Sequence, residues 1–214
     1  GMRAVYYPVM LDLRGRRCVV VGGGVLAEGK VAQLLEAGAE VVVVSPEVTE
    51  RIRRWAEEGR LRWVARPYRW GDLEGAWLGI SAPEDRATNA AVWEEAEARR
   101  VWLNAVDDPL HCSAIAPAVY RQGDLVVAVS TSGKAPALAV RLRDRFAAQL
   151  GPEYGEFLGL VGEVREEIAR RVPVFQQRAA LWYRIVDSEI LELLRRGDGE
   201  GAWARLWELV EGGG

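Results

Sequence analysis

Histidine occurs once in the 214 residues, as His111, and cysteine twice, as Cys18 and Cys112. A structural zinc site needs four nitrogen or sulfur ligands at short spacing, and a disulfide framework needs more cysteines, so both are excluded. Charge of one sign is also missing. The 28 basic and 31 acidic residues leave a net charge of −3 and no basic stripe, which argues against a nucleic-acid partner. No run approaches the roughly 18 apolar residues of a membrane span. No basic segment precedes a signal-like core, so the expected compartment is the cytoplasm, with no membrane partner. Internal repeats and low-complexity linkers are absent as well. Tryptophan is plentiful, at nine residues. Without a basic stripe those rings read as core or interface packing rather than as a platform for stacked bases.

The chain is 50% apolar and 28% charged, a composition that suits one or two globular domains. Short apolar runs at 17–22, Glu40–Ser45, Leu61–Ala65, Ala76–Ser81 and Val101–Val106 read as buried strands. Helical patterns lie between them at Leu26–Ala37, around Val48–Gly59 and at Asp85–Arg99. Strands alternating with helices predict an α/β fold, a Rossmann-type parallel sheet over residues 1–112. The pattern changes after that. AIAPAVY (Ala114–Tyr120) and DLVVAVS (Asp124–Ser130) precede a helix at Pro136–Leu150. From Pro152 onward the chain is helical and charge-rich, with breaks near Pro173 and at Gly197–Gly201.

RCVVVGGGVLAEGK (Arg17–Lys30) places three glycines between a predicted strand and a predicted helix. A nucleoside-triphosphate loop needs a hydroxyl after Gly-Lys, and Val31 stands there, so that reading fails. Gly22, Gly24 and Ala27 satisfy the dinucleotide pattern G-x-G-x-x-G/A. In that reading Gly22 permits the turn, Gly24 lets backbone approach a pyrophosphate, and Ala27 lets the helix pack on the sheet. The N–H groups around Gly23, Val25 and Leu26 then face the phosphates. The competing reading is a glycine turn without a ligand. An acid for the ribose hydroxyls is due about 20 residues on. Ser45 and Pro46 occupy that place and Glu47 comes slightly late. No lysine or arginine adjoins them for a 2′-phosphate, which favours NAD over NADP.

LNAVDDPLHC (Leu103–Cys112) puts Asp107 and Asp108 just past the carboxyl end of a predicted strand, where doubly wound sheets hold ligands. Mutual repulsion of the two carboxylates would raise one toward a useful general base. The alternative is a solvated Asp-Asp-Pro turn, with His111 structural or exposed rather than a metal ligand. STSGK (Ser130–Lys134) leads into the helix at Pro136. Its hydroxyls, backbone N–H groups and Lys134 suit either an anionic group or an ordinary helix start. Arg141 and Arg143 beyond it read as a solvated face.

Taken in order and spacing, YPVMLDLRGRRCVVVGGGVLAEGK, LNAVDDPLHCSAIAPAVY and DLVVAVSTSGKAPALAVRLRD resemble the precorrin-2 dehydrogenases of sirohaem synthesis, some of which are also sirohydrochlorin ferrochelatases. The resemblance covers about Tyr7 to Arg145 and continues weakly into the helical tail. It implies an NAD-binding domain at 1–112, a small dimerisation segment at 113–150, a helical domain at 151–214, and a homodimer. It implies oxidation of the tetrapyrrole precorrin-2 to sirohydrochlorin with NAD as cofactor, with or without metal insertion. The family's catalytic aspartate matches Asp107. Ser130, Thr131, Ser132 and Lys134 match the region near the tetrapyrrole, and no resident metal is implied. A non-catalytic NAD sensor is the contrasting class, but it would need only the first 112 residues. Two departures bear on how the cofactor is held. Gly29 stands where the family usually carries a basic residue. The strand that usually ends Ala-Thr-Asp/Asn reads ISAPED, which puts Ser81 and Ala82 at the cofactor's edge.

Overall fold

β-branched residues dominate the first two strands, RCVVV and EVVVV, and both faces of each are buried. That is what a strand sandwiched between two helical layers requires. The structure, a computed structural model, describes residues 4–212. The chain divides into two compact units, ending and beginning at Ala116 and Pro117.

The first unit runs β1 (Arg17–Val21), α1 (Val25–Glu36), β2 (Glu40–Val44), α2 (Glu50–Glu57), β3 (Arg62–Val64), β4 (Leu78–Ser81), α3 (Thr88–Arg99) and β5 (Trp102–Ala105). The five strands are parallel in the order β3-β2-β1-β4-β5. This is the expected Rossmann-type sheet. Alternation sorts the side chains. Cys18, Val20, Val41 and Val43 meet Ala27, Val31 and Leu34 of α1 and Ile52 and Trp55 of α2 on one face. Val19, Val21, Val42 and Val44 meet Leu73 and the α3 residues Val92 and Ala96 on the other. The chain winds outward from β1 through β2 to β3, then returns to lay β4 on β1's other side. The carboxyl ends of β1 and β4 therefore flank the point where the winding reverses, the usual ligand crevice of such sheets.

The return from β3 to β4 is irregular and is held by a buried acid. The Glu95 side chain, fully buried on α3, accepts from Tyr68 Oη at 2.6 Å, Gly71 N at 3.0 Å, Leu73 N at 3.2 Å and Arg99 Nε at 2.6 Å. At the far edge, Ser113 N and Ala114 N both donate to Leu103 O. The sequence was read with a first domain ending at 112, but these bonds hold the next residues along β5, and the compact unit runs to Ala116.

The second unit opens with an antiparallel hairpin, β6 (Ala118–Gln122) and β7 (Leu125–Val129). Its two-residue loop begins at Gly123, at φ 57°, and packs so closely on Gly155 that an added Cβ would lie 3.0 Å from Gly155 Cα. Then come α4 (Pro136–Gln149), α5 (Pro152–Arg171), α6 (Phe175–Val186), α7 (Ile190–Arg195) and α8 (Gly199–Gly212). Phe157, Val161, Val164 and Ile168 recur at helical spacing on α5. They pack with Leu181, Ile185, Ile190, Leu194, Ala202, Leu206 and Val210 into a separate core. The break predicted near Pro173 falls between α5 and α6, but the one predicted at Gly197–Gly201 lies at 196–198, and Gly199–Gly201 already belong to α8. A third break, at Ser188, was not predicted. There the hydroxyl donates to Ile185 O and accepts from Ile190 N, replacing lost helical bonds.

Candidate functional site

Gly22 leaves β1 with φ 116°, and a Cβ there would stand 2.0 Å from Ala82 O. At Gly23 an added Cβ would stand 2.4 Å from Glu47 O. The first two glycines thus let the loops after β4 and β2 close on the turn. Gly24 differs: an added Cβ meets nothing within 4 Å. It is the N-cap of α1, with no side-chain cap, and Val25 and Leu26 after it are exposed. This is open space in front of unpartnered helix N–H groups, the cradle that a pyrophosphate fits. Ala27 is fully buried against the sheet.

Ser45 ends β2 with its hydroxyl turned inward, donating to Glu47 O at 2.6 Å. Thr49 N donates to Gly23 O at 2.9 Å, which folds the Ser45–Thr49 loop, with exposed Pro46 and Glu47, against the glycine turn. Ser81 is fully buried and donates to Asn89 Oδ1 at 2.6 Å, while Ala82 N donates to Val21 O at 2.8 Å. What this corner offers the crevice is therefore backbone, not the Ser81 hydroxyl.

Past β5, Asp107 takes a left-handed conformation, φ 56°, which aspartate tolerates better than most residues. Its carbonyl accepts from Arg86 Nη2 at 2.6 Å, and its exposed carboxylate makes no hydrogen bond among the described residues. Asp108 is tied down. Its Oδ2 lies 2.7 Å from His111 Nδ1 and accepts from Asn89 Nδ2 at 3.0 Å. The bonds from His111 and then Asn89 hold its carboxyl below the usual carboxylate range. The expectation that repulsion would raise one acid of the pair does not hold for Asp108, because its two donors outweigh the cost of its partial burial. Nor is His111 a detached loop residue. It belongs to the chain Ser81–Asn89–Asp108–His111, which runs from the crevice to the loop. Asn89 and Arg86 had no sequence signature; only the crossover through α3 brings them here. Cys112 accepts from Ala105 N and is pushed up by burial, and partial burial pushes Lys30 down beside it. Among the described residues no group of three or more His, Cys, Asp or Glu side chains could hold a metal ion, and no helix is long and apolar enough to cross a membrane.

In the second unit Ser130 Oγ accepts from Ser132 N and Thr131 Oγ1 from Ala135 N, each at 3.0 Å. Two of the three hydroxyls thus shape the turn into α4. The exposed Ser132 and Lys134 side chains make no hydrogen bond among the described residues.

A doubly wound parallel sheet with a bare glycine-rich helix start at its switch point defines a dinucleotide-binding Rossmann protein. The chain belongs to the family described as putative NAD(P)-binding, whose model matches residues 9–118. Two further models follow in order, "sirohaem biosynthesis protein central" at 122–149 and "sirohaem synthase dimerisation region" at 153–209. The sequence was read as carrying its dimerisation segment at 113–150, upstream of that last region. The sirohaem synthase of Methylobacillus flagellatus is 38% identical over 207 residues, 97% of this chain and 44% of its own length. That of Pseudomonas entomophila is also 38% identical, over 97% of this chain and 45% of its own. The chain thus spans a little under half the length of these curated relatives. A solved structure, SirC, precorrin-2 dehydrogenase, superposes with a TM-score of 0.80 at 26% identity, over 96% of this chain and 99% of that one. The resemblance read from the three motifs is borne out by these matches.

Proposed function

We propose that this chain oxidises precorrin-2 to sirohydrochlorin with NAD, in the cytoplasm and as a homodimer. The observation that carries the reading is the open cradle at Gly24, in a chain that matches a precorrin-2 dehydrogenase along almost its whole length. Bound NAD supplies the hydride acceptor. The N–H groups at the start of α1 hold the pyrophosphate. Glu47, folded against the glycine turn, reaches the ribose hydroxyls, and the absence of lysine or arginine from Ser45–Thr49 selects NAD over NADP. Asp107, unbonded at the end of β5, takes the proton that accompanies hydride loss. Lys134 and Ser132 pair with the substrate's carboxylates.

The test is formation of NADH from precorrin-2 and NAD. Asp107→Asn keeps the shape but cannot accept a proton, so it should lower turnover by about 10²–10⁴-fold and leave NAD affinity unchanged. An unaltered rate would remove Asp107 from this role.

A further inference from the structure

Asn89 is a polar residue in an apolar place. It is 1% exposed and lies on the face of α3 that carries Val92 and Ala96 into the core. An apolar side chain is the ordinary choice there, because a buried amide costs free energy unless both of its ends are bonded. Here both are. Oδ1 accepts from the Ser81 hydroxyl at 2.6 Å, and Nδ2 donates to Asp108 Oδ2 at 3.0 Å. We propose that Asn89 is a positioning residue: by tying Asp108 to the end of β4 it fixes the turn that presents the neighbouring Asp107 carboxylate, and it matters to turnover only through that carboxylate. This rests on the dehydrogenase reading above and on the place of Asp107 in it.

Three ties join the β4–α3 connection to this turn. Val106 N donates to Ser81 O at 2.8 Å, Arg86 Nη2 donates to Asp107 O at 2.6 Å, and Asn89 holds Asp108. They grip the residue before Asp107, the backbone of Asp107 itself and the residue after it. Asp107 meanwhile sits at φ 56°, a left-handed conformation that persists in a non-glycine residue only where its surroundings over-determine it. Its carboxylate has no hydrogen bond of its own among the described residues, so its place is set through the backbone. Of the two side-chain ties, the Arg86 bond is exposed and the Asn89 amide is buried. Water competes least for the Asn89 tie. A reacting group misplaced by about 1 Å can lose about 10²-fold in rate, so a tie that adds nothing to the chemistry still governs it.

A double-mutant cycle separates positioning from folding. Asn89→Ala should lower kcat for NADH formation from precorrin-2 by about 10–100-fold, with KM and NAD affinity retained. In the Asp107→Asn background the same change should cost less than about twofold, because no proton acceptor is left to misplace. An equal fractional loss in both backgrounds refutes the proposal. So does an unaltered kcat when Asn89→Ala is made in the wild type.

Rescue supplies a second arm. Asn89→Asp sets a carboxylate against Asp108 and should also be slow. Adding Asp108→Asn exchanges amide and carboxylate across the same contact, leaves Ser81 and His111 with acceptors, and should restore most of the lost turnover. A double variant no faster than Asn89→Asp overturns the proposal. Amide hydrogen exchange checks the fold. In Asn89→Ala it should quicken at Val106 and Asp108 and stay unchanged at Val19, Val20 and Val43 of the sheet. Equal quickening throughout would make Asn89 a residue of the fold rather than of the turn. A wild-type chain that forms no NADH from precorrin-2 removes the dehydrogenase reading, and the Asn89 inference with it. A wild type that is active and an Asp107→Asn variant that is slow, combined with an additive cycle, remove the Asn89 inference alone.

Discussion

Three consecutive glycines do different jobs, and the difference predicts opposite outcomes. Gly24 borders open space, so Gly24→Leu should leave the fold and its melting temperature nearly unchanged while filling the pyrophosphate cradle. Titration should show NAD binding weakened by at least tenfold. In the wild type the same titration should show NAD bound more tightly than NADP. Gly22→Ala, by contrast, forces a Cβ onto Ala82 O at a φ of 116°, and it should destabilise the sheet itself. The glycine site was legible in the sequence because turn geometry and close backbone approach are local demands that only glycine meets. The acidic loop was half legible. Asp107 stands out by its place after a strand. Asp108 and His111 acquire meaning only from Asn89, 19 residues upstream of Asp108 and delivered by a helix.

At the scale of elements, the irregular return from β3 to β4 has no helix of its own and relies on polar clasps, among them Glu95 of α3. Asp72 accepts from Arg66 Nη1 and Nη2 at 2.8 and 2.6 Å and from Arg69 N at 2.9 Å. Burial pushes the Asp72 carboxyl up, but the Arg66 fork and the backbone donor outweigh it and leave it below the usual carboxylate range. A depressed folded-state value contributes stability that is complete above the unfolded value, about pH 4, and is lost as pH falls through the folded value. Thermal melts at a series of pH values should therefore show the wild type losing stability below about pH 4 more steeply than Asp72→Asn. At neutral pH the variant should be the less stable of the two. Equal acid slopes would show that the clasp carries no linkage. Strands and helices here were readable from period and composition, whereas this return was not. Its order comes from side chains on α3 and within the loop, not from any repeating pattern.

The whole molecule presents apolar surface that one copy leaves uncovered. Among the described residues β6 and β7 of the second unit pair only with each other, so each strand has an open edge, and Leu138 (50%), Val140 (40%) and Phe146 (44%) of α4 are exposed. Open strand edges and apolar helix faces favour burial against a second copy. Sedimentation at micromolar concentration should show a species of twice the chain mass, and Phe146→Glu should shift it toward monomer. A wild-type chain that sediments as a monomer would end the homodimer reading.

The amino-acid sequence by itself determined the parallel sheet, the glycine cradle and the helical second half. Each depends on local rules: β-branched runs buried on both faces, backbone angles reserved for glycine, and apolar residues at helical spacing. Tertiary structure alone decided that Glu47 lies against the glycine turn, that the Ser81 hydroxyl faces Asn89, and that Asp108 holds His111. Those facts join side chains across strand crossovers. A polar side chain's partner depends on which helix covers which strand end, and no local pattern encodes that.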